Sequence, residues 1–255
     1  MSLIKKLTAD LLEIRVFDTR KSLGEDAACE VARKIREILA KKPEVNIVFA
    51  SAPSQNEFLE ALIKENIDWD RINAFHMDEY IGLDKEAPQG FGNFIREGLF
   101  SKVNCSHVYY LDGNAANIPA ECERYAQLLT EHPVDIVCCG IGENGHLAFN
   151  DPPIADFNDR KLVKEVRLEE KCRQQQVNDG CFESIDKVPK TALSMTIPAL
   201  NAGRFIYSMV PGKTKAEAVF NTARSNIGTH CPATILRKHD HAILFTDMDS
   251  GNRIL

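Results

Sequence analysis

The run Val134-Asp135-Ile136-Val137-Cys138-Cys139, followed by Gly140-Ile141-Gly142-Glu143-Asn144-Gly145-His146-Leu147-Ala148-Phe149-Asn150-Asp151-Pro152, constrains this chain more than any other stretch. A short apolar run of this kind reads as a strand buried on both faces, the signature of a parallel sheet. Three glycines within six residues then end the strand and permit a sharp turn. An imidazole, His146, and a carboxylate five residues later, Asp151, come next. Imidazole is suited to moving protons near neutral pH, and a nearby carboxylate can hold its tautomer. Taken alone, the segment serves equally well as a strand-to-helix turn whose histidine makes only structural hydrogen bonds.

The rest of the chain repeats the strand-then-helix pattern. Apolar spacing predicts helices over 25–41, 57–66, 90–100, 120–131 and 214–222. Short apolar runs predict strands over 46–50, 72–77, 107–111, 134–139, 192–197, 205–210 and 241–246. Such alternation implies an α/β, Rossmann-like fold: a mainly parallel sheet with helices on both faces. No repeat, low-complexity tract or linker interrupts it, so a single domain over 1–255 is expected. The hydrophobic fraction of 44% suits a sizeable core. A net charge of −6 argues against a nucleic-acid surface. No apolar run approaches the roughly 18 residues that span a bilayer. The mixed segment 7–17 lacks the form of a secretory signal. Eight cysteines show no paired zinc spacing, and a reduced, cytoplasmic protein is the simplest expectation. Cys172, beside Arg173, is the one thiol singled out for reactivity.

In open α/β sheets, ligands bind beyond the carboxyl ends of the strands. That rule selects four loops: 51–54, 78–83, 140–151 and 211–215. In the first, Ser54 and Glu57 have capping-box spacing, so helix capping is expected, with Ser51 and Ser54 able to add hydroxyls to an anion. In the second, Asp78 and Glu79 either cap the next turn or supply a general base if burial raises one pKa. In the fourth, Lys213 and Lys215 are surface charges or part of a phosphate pocket at a helix start.

Met77-Asp78-Glu79-Tyr80, Gly145-His146-x-Ala148-Phe149-Asn150, Val188-Pro189-Lys190-x-Ala192-Leu193 and Gly212-x-x-Lys215-Ala216 occur in this order. In order and separation the chain resembles the glucosamine-6-phosphate deaminase (isomerase) family over nearly its whole length. The resemblance implies conversion of glucosamine 6-phosphate and water to fructose 6-phosphate and ammonia, with no metal or redox cofactor. It implies that His146 opens the sugar ring, Asp151 supports the imidazole, and Asp78 carries a proton between C2 and C1. It also implies that Lys215, Ser51, Ser54 and Gly145 belong to the substrate and phosphate site. A lid is expected over about 165–187, with Arg173 as a phosphate or lid contact. The partner would be a small sugar phosphate, and a homo-oligomer is compatible with the family.

Several positions depart from the pattern. Asn144 stands where the family has an acid, and an amide supplies no negative charge. Asp151 replaces a common glutamate. The phosphate loop is Ser-Ala-Pro-Ser-Gln rather than Thr-Gly-Gly-Thr-Pro, and Pro53 removes one backbone donor. A second anchoring arginine has no match in Arg173-Gln174-Gln175-Gln176-Val177-Asn178. These departures keep three alternatives open: an enzyme for another sugar phosphate such as galactosamine 6-phosphate, a 6-phosphogluconolactonase-like hydrolase, and a non-catalytic sugar-phosphate-binding regulator.

Overall fold

The computed structural model describes residues 2–255. An N-terminal hairpin, β1 (Leu3–Ala9) and β2 (Leu12–Phe17), leads into helix α1 (Arg20–Leu39). Then follow β3 (Val45–Phe49), α2 (Asn56–Leu62), β4 (Ile72–His76), β5 (Asp78–Tyr80), α3 (Phe91–Ile95), β6 (His107–Tyr109), α4 (Ile118–Glu131) and β7 (Ile136–Cys139). The last part holds β8 (Val163–Arg167), α5 (Glu170–Asn178), β9 (Thr191–Met195), α6 (Ile197–Asn201), β10 (Phe205–Val210), α7 (Ala216–Arg224), β11 (Ala242–Asp247) and α8 (Met248–Gly251).

The main sheet has eight strands in the order β1-β2-β11-β10-β7-β3-β4-β6. Only the β1–β2 pair is antiparallel. Strands β3, β4 and β7 are buried at every position, which explains their unbroken apolar sequences. Two large apolar clusters cover the two faces of the sheet. The order reverses between two central strands. From β3 the chain steps outward to β4 and β6; from β7 it steps the other way, to β10 and β11. The crevice beyond the ends of β3 and β7 is therefore the switch point where ligands bind in open α/β sheets. Loops 51–54 and 140–151 meet there.

One expectation is corrected. The run at 192–197 does not join the main sheet; its strand β9 forms a separate three-stranded antiparallel sheet, in the order β5-β9-β8. Segment 7–17 contributes to the β1–β2 hairpin at the sheet edge, where Lys5 and Lys6 on the exposed strand discourage further pairing. No described helix is long and apolar enough to cross a membrane.

Candidate active site

The second sheet aims the acidic pair. Asp78, Glu79 and Tyr80 pair with Ser194, Leu193 and Ala192, so successive side chains leave opposite faces. Asp78 enters a cavity at the switch point, which Ser51, Ser54, Gly142, His146, Gln175, Gln176 and Lys215 also line. Burial pushes the Asp78 carboxyl well above the usual carboxylate range, and the neighbouring Glu79 charge adds to the rise. Glu79 does not face water. It accepts hydrogen bonds from the N–H groups of Tyr80 (2.8 Å), Phe91 (3.0 Å) and Gly92 (2.7 Å), anchoring the start of α3. His76 is a core residue: burial lowers its pKa to about 3, and its Nε2 accepts from the Leu111 N–H.

The glycine turn brings His146 to the same cavity. A Cβ on Gly142 would lie 2.1 Å from the His146 ring, so only glycine lets the ring pack there. Gly145 adopts φ +84° and closes the turn, its N–H donating to Gly142 O and its carbonyl accepting from Ala233 N. Both of its backbone polar groups are thus used within the protein. Ala148 holds φ +49°, a strained value for a residue with a Cβ. Asn150 braces that turn by donating to the carbonyls of Leu147 and Met195, both at 2.8 Å.

His146 Nδ1 lies 2.7 Å from Asn144 Oδ1 and 3.1 Å from Asp151 Oδ1. Burial alone would raise the Asp151 carboxyl. Hydrogen bonds from His146, Asn144 and the Glu169 N–H outweigh that and hold it below its ordinary range. Cys172 lies behind this pair, and its ligand atom, with those of His146 and Asp151, falls in a group spanning no more than 4.8 Å. Those three side chains could in principle hold a metal ion, but here they are hydrogen-bonded around Asp151. The expectation of a reactive Cys172 is corrected: burial pushes its thiol well above the usual range, and a thiol that stays protonated is a poor nucleophile.

The opposite wall is polar and unsatisfied. Ser51 is 3% exposed, and its Oγ has no hydrogen-bond partner. Lys215 is 5% exposed and forms no ion pair among the described residues. Burial lowers its pKa, with the more distant Asp179 and Glu143 opposing. Lys213, two residues earlier, points to solvent. Gly212 supplies no free donor, because its N–H is held by Asp247 at 3.0 Å and 3.1 Å. The expected Ser54–Glu57 capping box is absent: Glu57 pairs with Arg20, and Ser54 Oγ accepts from Gln55 at 3.0 Å.

Arg173 is placed elsewhere. Its guanidinium donates to the carbonyls of Ile185 and Val188, pinning the segment after α5. It lines a different cavity of about 500 Å3, with Arg167, Glu169 and Lys190. In this conformation Arg173 does not line the switch-point cavity. The side chains that α5 does present to the switch-point cavity are Gln175 and Gln176, both 6% exposed. Gln175 Oε1 accepts from the Glu143 N–H at 2.9 Å. Their signal was a glutamine pair in a helix with little apolar surface, which a search for arginine passed over. A further cavity of about 490 Å3 lies beside Glu79, Lys85, Arg96 and Asp112, away from Asp78 and His146. Size therefore does not mark the chemistry; convergence of polar groups does.

Residues 18–245 match the family described as Glucosamine-6-phosphate isomerases/6-phosphogluconolactonase. The chain belongs to that family. It is 33% identical over 228 residues to the glucosamine-6-phosphate deaminase of Lactobacillus delbrueckii subsp. bulgaricus, covering 88% of this chain and 95% of the relative. A solved monomeric glucosamine-6-phosphate deaminase superposes with a TM-score of 0.86 at 31% identity, covering 94% of this chain and 98% of that one. A 6-phosphogluconolactonase from Thermotoga maritima superposes with a TM-score of 0.74 at 22% identity over 92% of this chain and 98% of that one, which shows the shared fold alone.

Proposed function

We propose that this protein is an amino-sugar phosphate deaminase that converts glucosamine 6-phosphate and water to fructose 6-phosphate and ammonia. The observation that carries the reading is one cavity with two different walls. A buried, unpaired ammonium (Lys215) and an orphan hydroxyl (Ser51) face the same space as a buried carboxyl (Asp78) and an imidazole (His146). A phosphate group satisfies the first wall, since an anion supplies both the counter-charge and the acceptor that are missing.

Proton transfers fall to His146 on the second wall and to Asp78 across from it. With Nδ1 turned to Asn144 and Asp151, His146 presents Nε2 to the substrate. It takes the proton from the anomeric hydroxyl and returns it to the ring oxygen, opening the pyranose. Asp78 removes the proton from C2 of the open aldehyde and delivers it to C1. The C2 ammonium gives up one proton and the aldehyde oxygen O1 takes one, so the product is an iminium at C2 beside a C1 hydroxyl; addition of water at C2 then releases ammonia and leaves the ketose. A carboxyl held above its usual range suits this shuttle, because it binds and releases a proton nearer neutral pH. The substrate's own ammonium, arriving beside Asp78, favours the ionised form.

Helix α5 acts as the lid. The cavity measures only about 60 Å3 with Gln175 and Gln176 over it, far below the roughly 300 Å3 of an ordinary small-ligand pocket. A hexose phosphate therefore enters with α5 displaced, and reseating of α5 excludes water from the imine-forming steps. All eight cysteines are unpaired thiols, which supports a reducing, cytoplasmic setting.

The test is direct: incubation with glucosamine 6-phosphate should yield ammonia and fructose 6-phosphate in equal amounts. Both should vanish in Asp78→Asn and fall sharply in His146→Gln. Binding of amino-sugar phosphates without ammonia release from any of them would replace this reading with the regulator. Hydrolysis of 6-phosphogluconolactone at a comparable rate would replace it with the lactonase.

A further inference from the structure

Glu169 precedes α5, and its side chain does not cap the helix. It turns instead toward the glycine loop, where its Oε2 accepts from Asn144 Nδ2 at 2.9 Å, while its backbone N–H donates to Asp151 Oδ2 at 3.1 Å. The Asn144 amide is thereby filled. Nδ2 gives its two hydrogens to Glu169 and to Asp151 Oδ1 (2.9 Å). Oδ1 accepts from the His146 N–H (3.2 Å) and faces His146 Nδ1 at 2.7 Å. A primary amide has two hydrogens and two lone pairs, so no capacity remains.

The carboxylates decide which end of the amide meets the ring. A flipped Asn144 would set its oxygen against Glu169 and Asp151 and its NH2 against the ring nitrogen. In the observed orientation, both neighbours of Nδ1 are acceptor oxygens, so Nδ1 carries the proton and Nε2 keeps its lone pair toward the cavity. Asp151 provides one anchor from within the loop. Glu169 provides the second, from the N-terminal end of α5.

We propose that Glu169 is a positioning residue which, through Asn144, ties the base-competent arrangement of His146 to the seating of the lid helix. An amide serves at position 144 because it alone can donate to two carboxylates while accepting from the histidine. Aspartate there would gather three carboxylates at one point and lose both donors. In its kinetic consequences the proposal rests on the deaminase reading; in its structural content it does not.

Two measurements test it on the full-length protein. Nitrogen-15 spectroscopy of His146 without substrate should show a protonated Nδ1 and an unprotonated Nε2 in the wild type. Glu169→Met keeps the bulk and removes the acceptor, and should give a mixture of tautomers or an exchange-broadened ring signal. With glucosamine 6-phosphate its kcat should fall about tenfold, part of the ~100-fold or more that a misoriented general base costs, with KM changed far less. Glu169→Gln retains an acceptor oxygen and should recover most of that loss. In an Asn144→Asp background, Glu169→Met should cost nothing further or restore activity, because nothing remains for Glu169 to hold. A wild-type tautomer with wild-type kcat in Glu169→Met overturns the proposal. So do additive losses in the double variant, a comparison that survives even if Glu169→Met alone proves hard to fold. A wild type that shows the expected tautomer but never releases ammonia leaves this proposal standing and sinks the deaminase reading instead.

Discussion

The two walls of the switch-point cavity are built on opposite terms. Around His146, the Asn144 amide uses every hydrogen and lone pair, and both Asp151 oxygens are engaged. Across the cavity, Ser51 Oγ has no partner, Lys215 has no counter-ion, and Asp78 is buried beside another acid. A saturated network has one geometry and keeps it, which suits a base that must not turn. An unsatisfied wall costs stability in the empty protein and recovers that cost only when a ligand supplies the missing groups. One wall is made for orientation and the other for occupancy.

The largest break in this contrast is Asp78→Asn. Loss of the C2–C1 proton carrier should lower kcat by about 10²–10⁴-fold. The same change should stabilise the protein, because the wild-type acid is buried where its charge is disfavoured. Its folded pKa lies above the ordinary 3.8, so the unfolded chain ionises first as pH rises. The stability advantage of the asparagine variant is therefore absent below about pH 3.8, grows as pH increases, and levels off above the native pKa. Melting curves across that range check it. An Asp78→Asn protein no more stable than wild type at neutral pH would place Asp78 in the satisfied wall.

Next comes Lys215→Met, which removes the unpaired cation while keeping the bulk. KM for the sugar phosphate should rise roughly 10–100-fold, the loss of one or two charge-assisted hydrogen bonds, with kcat less affected. Inorganic phosphate should raise the melting temperature of the wild type and not of Lys215→Met, since only a charged wall gains from an anion. Equal phosphate stabilisation of both proteins would move the anion site elsewhere.

The contrast also explains what the sequence disclosed. Strands β3, β4 and β7 are buried on both faces, so their apolar runs were legible without context. Strand β8, Val-Lys-Glu-Val-Arg, buries only Val163 and Val166 and reads as polar. Three-residue β5 is too short for any period to show, yet its pleat separates the roles of Asp78 and Glu79. The lid over 165–187 rests on resemblance alone, because the residues that α5 buries are Cys172, Gln175 and Gln176 rather than an apolar stripe. The loops that hold Asp78, His146 and Lys215 could be selected because they follow strand ends, but the roles of those residues rest on the resemblance. Arg173 differs: a charge in an expected lid suggests a ligand, whereas in this structure its partners are two backbone carbonyls that no local pattern announces. Glu169 was invisible because its role depends on a contact 25 residues away in the chain.

Arg173→Ala asks whether Arg173 belongs to the phosphate wall. Removing the guanidinium leaves the carbonyls of Ile185 and Val188 without their donor, which should cost about 1–2 kcal/mol of stability. Denaturant unfolding measures that loss, and KM for the sugar phosphate should change far less than in Lys215→Met. A KM effect as large as that of Lys215→Met would return Arg173 to the phosphate wall.

The smallest effect belongs to Ser51→Ala. Its hydroxyl contributes one neutral hydrogen bond to a bound phosphate, so KM should rise only about three- to tenfold, the range for a net hydrogen bond of ~1 kcal/mol. The sign of its stability effect is the more telling quantity. Removing a buried hydroxyl that has a partner destabilises a protein, whereas removing an orphan relieves a desolvation cost. The empty variant should therefore be at least as stable as wild type, and phosphate should stabilise it less. A destabilised Ser51→Ala would reveal a partner for that oxygen in the empty state, and the occupancy wall would then be as self-contained as the one opposite.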